Sequence, residues 1–391
     1  MLAVIEAVLI VTSSISLITT IGLFIVYKLK KTIEPKINYP EVTVFVPFYN
    51  ECSSLLITAL EHLERQDYPK RLQVVLIDDG STNGVVNDVK EWLSISRIQQ
   101  YELIEKKING GRKGFALDYA LELSVATGDV YVVVDSDTFI EPEGIKELSI
   151  KLWSDDRYAA VCGYITPSNY QESFIGLLQH YEHSSFYGAI RSAQDKIGLV
   201  PVQAGAFVAH RASAVHDLGG WSEWLVEDIA WCWKALSRGY RSGYASKAKA
   251  KTHCPVDSKG LFKQRRRWAR GRVEAYLETW KTSKFAGVCA TPWFMTTVLH
   301  YVFPSSLLVI VFMVAFGIWI PLAFGVINLV LYLMLNANYL RDNKGLYEGM
   351  SKSKLLKAPL FAMLLETIIW LPNLLGCLDE LFGRKKTWLT R

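Results

Sequence analysis

Four stretches of this chain are apolar enough to enter a membrane, and they bracket a central region in which short apolar runs alternate with helical patterns. The first runs from Leu2 to Tyr27, interrupted only by Glu6 and a few hydroxyl residues. As a helix it spans the ~30 Å hydrocarbon core. Lys28, Lys30, Lys31 and Lys36 follow it, and positive residues stay on the cytoplasmic side, so the N-terminus is expected outside and the next domain inside. A cleaved signal peptide carries its basic residues before the apolar core, and none stand there. Phe294–Phe316 and Ile320–Leu340 predict a helical hairpin. Pro304 is expected to kink its first arm, whereas Pro321 stands where the second begins, a position helices tolerate. Lys344, Lys352, Lys354 and Lys357 return the chain to the cytoplasm. The last stretch, Pro359–Leu378, contains Glu366, Pro372 and Asn373 and is followed by Arg384, Lys385 and Lys386. If it spans, those charges lie outside; if it is interfacial or re-entrant, the positive-inside pattern holds, and both readings stay open.

Between the membrane stretches, Val42–Val46, Leu72–Ile77, Tyr101–Glu105 and Val130–Val134 read as strands. Ser53–Arg65, Gly114–Ala126, Gln171–Ala193 and Ile229–Arg238 read as helices. Short apolar strands alternating with helices predict an α/β domain with a mostly parallel central sheet covered on both faces. The expected organisation is an N-terminal transmembrane helix over 1–28 and a cytoplasmic domain over 39–257. An amphipathic, basic interface helix over 258–285 and a membrane region over 290–391 follow. There is no internal repeat and no low-complexity linker.

Composition narrows the class. Half of the 391 residues are hydrophobic and the mean hydropathy is +0.16, which suits a mixed soluble and membrane protein. The net charge of +5 fits contact with anionic headgroups. No basic stripe interleaved with aromatics points to nucleic acid. Cys52, Cys162, Cys232, Cys254, Cys289 and Cys377 form no close ligand spacing and read as reduced, scattered thiols.

Acidic residues cluster where the predicted strands end, the edge at which ligands of such sheets bind. Asp135-Ser136-Asp137 follows five apolar or aromatic residues. Two carboxylates there can hold a hard cation such as Mn²⁺ or Mg²⁺ and leave positions for phosphate; the same pattern also serves as a solvated turn. Asp78-Asp79-Gly80-Ser81 ends another strand, where a carboxylate can accept from a base or ribose or simply form an Asx turn. Glu227-Asp228 opens a helix, so both carboxylates favour the helix N-terminus. Asp228 is also placed to take a proton from a sugar hydroxyl. In Gln264-Arg265-Arg266-Arg267-Trp268, the arginines suit lipid phosphates at an interfacial helix, and Arg267 suits a diphosphate. Trp268 can stack on a sugar ring. His180 and His183, three apart with no third ligand at a helpful spacing, read as helix-surface residues.

In their order along the chain these motifs resemble the inverting family 2 glycosyltransferases, in particular the membrane-integrated branch that includes cellulose, hyaluronan and poly-N-acetylglucosamine synthases. The resemblance runs from about Val42 to Arg272. It rests on Val-Pro-Phe-Tyr-Asn-Glu at 46–51, Asp-Asp-Gly-Ser-Thr-Asn-Gly at 78–84 and Gly-Gly-Arg-Lys-Gly-Phe-Ala-Leu at 110–117, then on Asp-Ser-Asp at 135–137, Val-Glu-Asp at 226–228 and the run at 264–268. It implies a GT-A-like nucleotide-sugar-binding domain and a hexosyltransferase at the plasma membrane. The partners it implies are a nucleotide-sugar donor, a UDP-sugar foremost, a glycan or lipid-linked acceptor, and a divalent metal, Mn²⁺ or Mg²⁺. Tyr49, Glu51, Asp78, Asp79, Lys113 and Asp135 would bind the donor, and Asp137 with Asp135 the metal. Asp228 would be the base, and Glu227, Gln264, Arg267 and Trp268 would meet the diphosphate and acceptor. Val226 departs from the Thr often found there in polymer synthases, and three or four spans make a small membrane region for a secreted polymer. Processive synthesis, single addition to a polyprenyl-linked sugar or glycolipid, and an inactive nucleotide-sugar-binding subunit are the alternatives.

Overall fold

The computed structural model describes residues 2–29, 38–221, 224–302, 306–343 and 352–384. The strands explain the central domain. Along β1 (Val42–Phe48), Val42, Val44, Val46 and Phe48 enter one core and Phe45 the opposite one. β2 (Gln73–Asp78) splits Val74 and Leu76 from Val75 and Ile77 in the same way. The period of two thus feeds two apolar layers, which is why these strands read as unbroken apolar runs. With β3 (Gln100–Glu105), β4 (Val130–Val134), β5 (Thr138–Ile140), β6 (Tyr158–Pro167), β7 (Phe207–Arg211) and β8 (Arg241–Thr252) they form one sheet of order β3-β2-β1-β4-β7-β6-β8-β5. β3, β2, β1 and β4 run parallel, as do β6 and β8. β7 runs antiparallel to both neighbours, and β5 to β8. The largely parallel α/β class expected from the sequence is the one found.

On one face pack α2 (Ser53–Glu64), α3 (Val85–Leu93) and α5 (Gly144–Trp153), through Leu56, Leu60, Val89 and Leu148 among others. On the other lie α4 (Lys113–Glu122), α7 (Gly188–Asp195), α8 (Ala212–Leu218) and α9 (Glu227–Ser237). That second core does not stop at the domain. It takes in Tyr27 from α1 (Leu2–Leu29) and Leu335 and Tyr339 from α13 (Trp319–Asp342), so this face is the one fused to two of the long apolar helices.

The helix expected over 171–193 is broken. A 3₁₀ turn at Tyr170–Glu172 and α6 (Phe174–Tyr181) lead into a π-turn, Glu182–Tyr187, before α7. The wider turn rotates the side chains that follow. His183 is therefore buried in a cavity wall rather than on a helix surface, and burial pushes it down to about 4. His180 stacks on Tyr170 at 4.0 Å.

Three of the arginines of α10 (Ser258–Thr282) are engaged by carboxylates of the chain itself. Arg265 forks onto Glu182 at 2.6 and 3.0 Å. Arg266 pairs with Asp379 at 2.6 Å and Arg270 with Glu380 at 2.7 Å, both carboxylates from α14 (Lys352–Leu381). Burial alone would raise Glu182, but the Arg265 charge outweighs it and holds the carboxyl below its ordinary value.

α1 and α13 lie side by side in the same direction, Ser16 against Asn328 and Tyr27 against Asp342. α11 (Lys284–Val302) and α12 (Ser306–Ala315) lie between α10 and α13 in the chain. Among the described residues three helices are long and apolar enough to cross a membrane, and α11 with α12 makes up to four. α14 lies along α10, with Phe361 against Tyr181 of α6 and Asp379 against Arg266 of α10. Pro304, Lys30, Lys31, Lys36, Lys344, Lys385 and Lys386 lie outside the described residues.

Candidate active site

The carboxyl ends of β1, β2 and β4 open onto one cavity of about 1720 Å³. Tyr49, Glu51, Asp79, Lys113, Asp135, Asp137, Glu227, Asp228, Gln264, Arg267 and Trp268 all line it. Of the site residues implied by the resemblance, Asp78 alone is not among its walls.

Each position has a local cause. After β1 the chain turns through Asn50, whose φ of 48° is left-handed, a conformation Asn tolerates through local hydrogen bonds. Its Oδ1 accepts from the Thr82 amide at 2.7 Å, tying the β1 and β2 turns together. Glu51, 3% exposed, accepts from Ser136 Oγ at 2.6 Å, so it braces the Asp-Ser-Asp turn. Asp78 accepts from the Ser81 amide at 3.0 Å and acts as the Asx turn itself. Asp79 reaches inward, accepting from the Gly110 amide at 3.1 Å and pairing with Lys106. Gly80, with φ of 84°, is needed where the chain passes Asn109: a Cβ there would lie 2.9 Å from the Asn109 backbone nitrogen.

Lys113, the first residue of α4, is the hub. Its ammonium lies 2.6 Å from Asp135 Oδ1, 2.9 Å from the Gly205 carbonyl and 3.3 Å from Glu227 Oε1. These carboxylates raise its pKa against the opposing effect of burial. Asp137, 5% exposed, accepts from Thr252 Oγ1 at 3.3 Å. Burial, then the neighbouring Asp135 charge, push it up to about 7. Asp228 stands in the first turn of α9 and accepts from the Gly205 amide at 2.8 Å and from the Ile229 amide at 2.9 Å. Its enclosure, then the Glu227 charge, push it up to about 7 as well. Arg267 is lowered by burial, against the charges of Glu227, Asp135 and Asp228.

Asp135 and Asp137 offer hard oxygen donors at one strand end, and the upward push on Asp137 comes from its own burial beside the Asp135 charge, which a cation would relieve. Among the described residues no group of three His, Cys, Asp or Glu side chains encloses a common point. The residues therefore fit a divalent ion that takes its remaining ligands from phosphate oxygens and water, as Mg²⁺ and Mn²⁺ commonly do. The sequence reading missed Thr252, His253, Arg191 and Arg272, which also line the cavity.

The family described as "Glycosyl transferase family group 2" matches residues 131–336. Poly-beta-1,6-N-acetyl-D-glucosamine synthase of Staphylococcus aureus (strain COL) is 31% identical over 267 residues, 66% of this chain and 62% of that protein. The synthase of the same name from Staphylococcus epidermidis is 27% identical over 245 residues, 62% of this chain and 57% of that one. The chain thus matches less than two thirds of the length of these curated relatives. Among solved structures, a mannosyltransferase from Pyrobaculum calidifontis in complex with GDP-Man and Mn²⁺ shares the fold, with a TM-score of 0.63 and 20% identity over 97% of this chain and 99% of that one. The family match covers more than half of the chain and runs from the strand that ends in Asp135 into α13: the chain belongs to the family 2 glycosyltransferases, enzymes built on a GT-A-like α/β domain.

Proposed function

We propose that this enzyme moves a sugar from a nucleotide-sugar, a UDP-sugar foremost, to an acceptor hydroxyl at the cytoplasmic membrane face, with inversion. The observation that carries the reading is the convergence of Asp79, Lys113, Asp135, Asp137, Asp228 and Arg267, distant in sequence, on one cavity. Tyr49, Glu51 and Asp79 stand at the nucleotide end. Lys113 and Arg267 meet the diphosphate. Asp137 and Asp135 hold the metal, which when bound supplies positive charge against the phosphates. The acceptor oxygen attacks the anomeric carbon on the face opposite the leaving group, and its proton passes to the Asp228 carboxylate. The anomeric C–O bond breaks, its electron pair stays on the diphosphate, and Lys113 and Arg267 stabilise that charge.

The cytoplasmic orientation is supported by Lys28 and Arg341, which end α1 and α13 on the side of the catalytic domain. The reading is tested with purified protein in detergent and a panel of UDP- and GDP-sugars. Release of nucleoside diphosphate with Mn²⁺ from one donor is expected, and its absence from all of them with every acceptor class supplied would refute the reading.

Gly205 carries a second prediction. A Cβ there would lie 2.7 Å from Asp228 Oδ2 and 3.0 Å from Asp228 Cβ, so the carboxylate must move off the Gly205 amide. Gly205→Ala is expected to lower kcat by about 10²-fold, the cost of roughly 1 Å of misplacement, with the thermal midpoint little changed. An unaltered kcat would show that this placement of Asp228 does not matter.

A further inference from the structure

Gln264, Arg267 and Trp268 of α10 reach the cavity, but Arg265 between them does not. Successive helical residues are rotated by about 100°, so Arg265 points behind the wall. There it is 2% exposed, and a buried guanidinium is costly unless it is paired. Its partner comes from the π-turn. Glu182 accepts from both terminal nitrogens of Arg265, at 2.6 and 3.0 Å, and Tyr187 Oη donates to the same carboxylate at 2.8 Å. Glu182 and Tyr187 are five residues apart. On an α-helix such residues stand about 140° apart, whereas an i→i+5 turn brings them to one side. The turn therefore builds the pocket that Arg265 enters. The same guanidinium lies over the Trp268 ring, its Cζ 4.5 Å from the centroid. Trp268 and Tyr187 line the cavity, and Glu182, like Arg265, stands behind it. A neutral pair of similar volume would hold the fold as well as this ion pair does. A planar cation is needed only where something meets its charge and its flat face, and Trp268 does.

We propose that Glu182 and Arg265 are positioning residues of the transfer site: the π-turn carboxylate fixes the Arg265 guanidinium, and the guanidinium holds the Trp268 ring in its working pose at the cavity wall. The inference rests on the transferase reading above, in which Trp268 serves the diphosphate and acceptor, and adds what sets that side chain. The pairs of Arg266 with Asp379 and of Arg270 with Glu380 tie α10 to α14 from a second direction. With Glu182 on Arg265, the helix cannot turn about its own axis without breaking an ion pair. Loss of the Glu182 charge frees the guanidinium to leave the Trp268 face, and the ring then samples other rotamers. Misplacement of about 1 Å is enough to cost a transfer reaction about 10²-fold in rate.

The test uses the full chain in detergent, grown with fluorotryptophan, with the Trp268 fluorine resonance assigned by Trp268→Phe. Glu182→Gln leaves Arg265 buried without its counter-charge. It is expected to displace or broaden the Trp268 resonance, to lower kcat for nucleoside diphosphate release by about 10²-fold and to lower the thermal midpoint. Glu182→Gln combined with Arg265→Gln removes both charges and leaves two amides that can hydrogen-bond. That variant is expected to recover the midpoint while the resonance stays displaced and kcat stays low. Arg265→Lys keeps the charge but not the planar fork; it is expected to lose the rate and the resonance in the same way, and it serves where Glu182→Gln does not fold. A Trp268 resonance at its wild-type position in these variants would overturn the inference. So would a displaced resonance with wild-type kcat, or a kcat that recovers together with the midpoint in the double variant, which would make the pair a support of the fold alone. Absence of turnover by the wild type with every donor would instead strike the transferase reading, while the resonance still decides whether Glu182 and Arg265 set Trp268.

Discussion

Asp228→Asn is expected to slow sugar transfer by about 10²–10⁴-fold, the usual range for losing a general base, while UDP binding is not weakened, since the lost negative charge faces Lys113 and Arg267, the cations placed on the diphosphate. Asn has the shape of Asp and can still accept from the Gly205 amide that holds the carboxylate at 2.8 Å, so α9 keeps its first turn. What it lacks is a basic oxygen for the acceptor proton. The pH dependence carries the same argument. Enclosure and the Glu227 charge push Asp228 up to about 7, and only the ionised form accepts a proton. Wild-type kcat/KM is therefore high above pH 7 and falls as the pH drops through it. The Asn variant loses this limb along with the rate. Product release by the purified protein on either side of pH 7 reads both effects, and an Asn variant with wild-type turnover would remove Asp228 from the chemistry.

How much of this was visible in the sequence depended on whether the signal was local. Three strands of the parallel half were legible because each is a run of mostly β-branched or apolar residues that ends in its own polar turn: Val42–Phe48 in Tyr49-Asn50, Gln73–Asp78 in Asp79-Gly80, Val130–Val134 in Asp135. β8 went unread although its signal is present, for Lys247, Lys249 and Lys251 alternate with the buried Ala248 and Ala250. Alanine is too weakly apolar to announce a strand, and the missed strand hid Thr252 and His253 at its end. The insertion of β7 between β4 and β6 is a pairing across about 75 residues that no local pattern encodes. The π-turn that buries His183 is likewise invisible to a 3.6-residue period. Nor do the arginines of α10 reveal from charge alone whether lipid phosphate or carboxylate awaits them. Their partners Asp379 and Glu380 stand more than 100 positions away, and pairing there was decided by how α14 lies along α10.

Chelation of divalent metal is expected to bring turnover to background and Mn²⁺ or Mg²⁺ to restore it, and the two carboxylates of the Asp-Ser-Asp turn should fail in different ways. Asp137 is the more enclosed, and burial with the Asp135 charge pushes it up to about 7. Holding two carboxylates so close is costly unless a cation accompanies them. Asp137→Asn removes one charge from that pair, so the Mn²⁺ concentration needed for half-maximal activity is expected to rise by about tenfold or more. The rate at saturating Mn²⁺ falls by about 10²–10⁴-fold, equivalent to several kcal/mol of lost charge stabilisation. Asp135 is instead engaged by Lys113 at 2.6 Å, and the same ammonium faces Glu227. Asp135→Asn releases Lys113 towards Glu227 and away from the diphosphate, so it is expected to raise donor KM as well as the Mn²⁺ requirement. A metal titration and a donor titration on each variant separate the two. If wild-type turnover survives chelation, or if Asp137→Asn keeps the wild-type Mn²⁺ dependence, Asp137 brings no cation to this site, and the charge on the leaving diphosphate must be met by Lys113 and Arg267 alone.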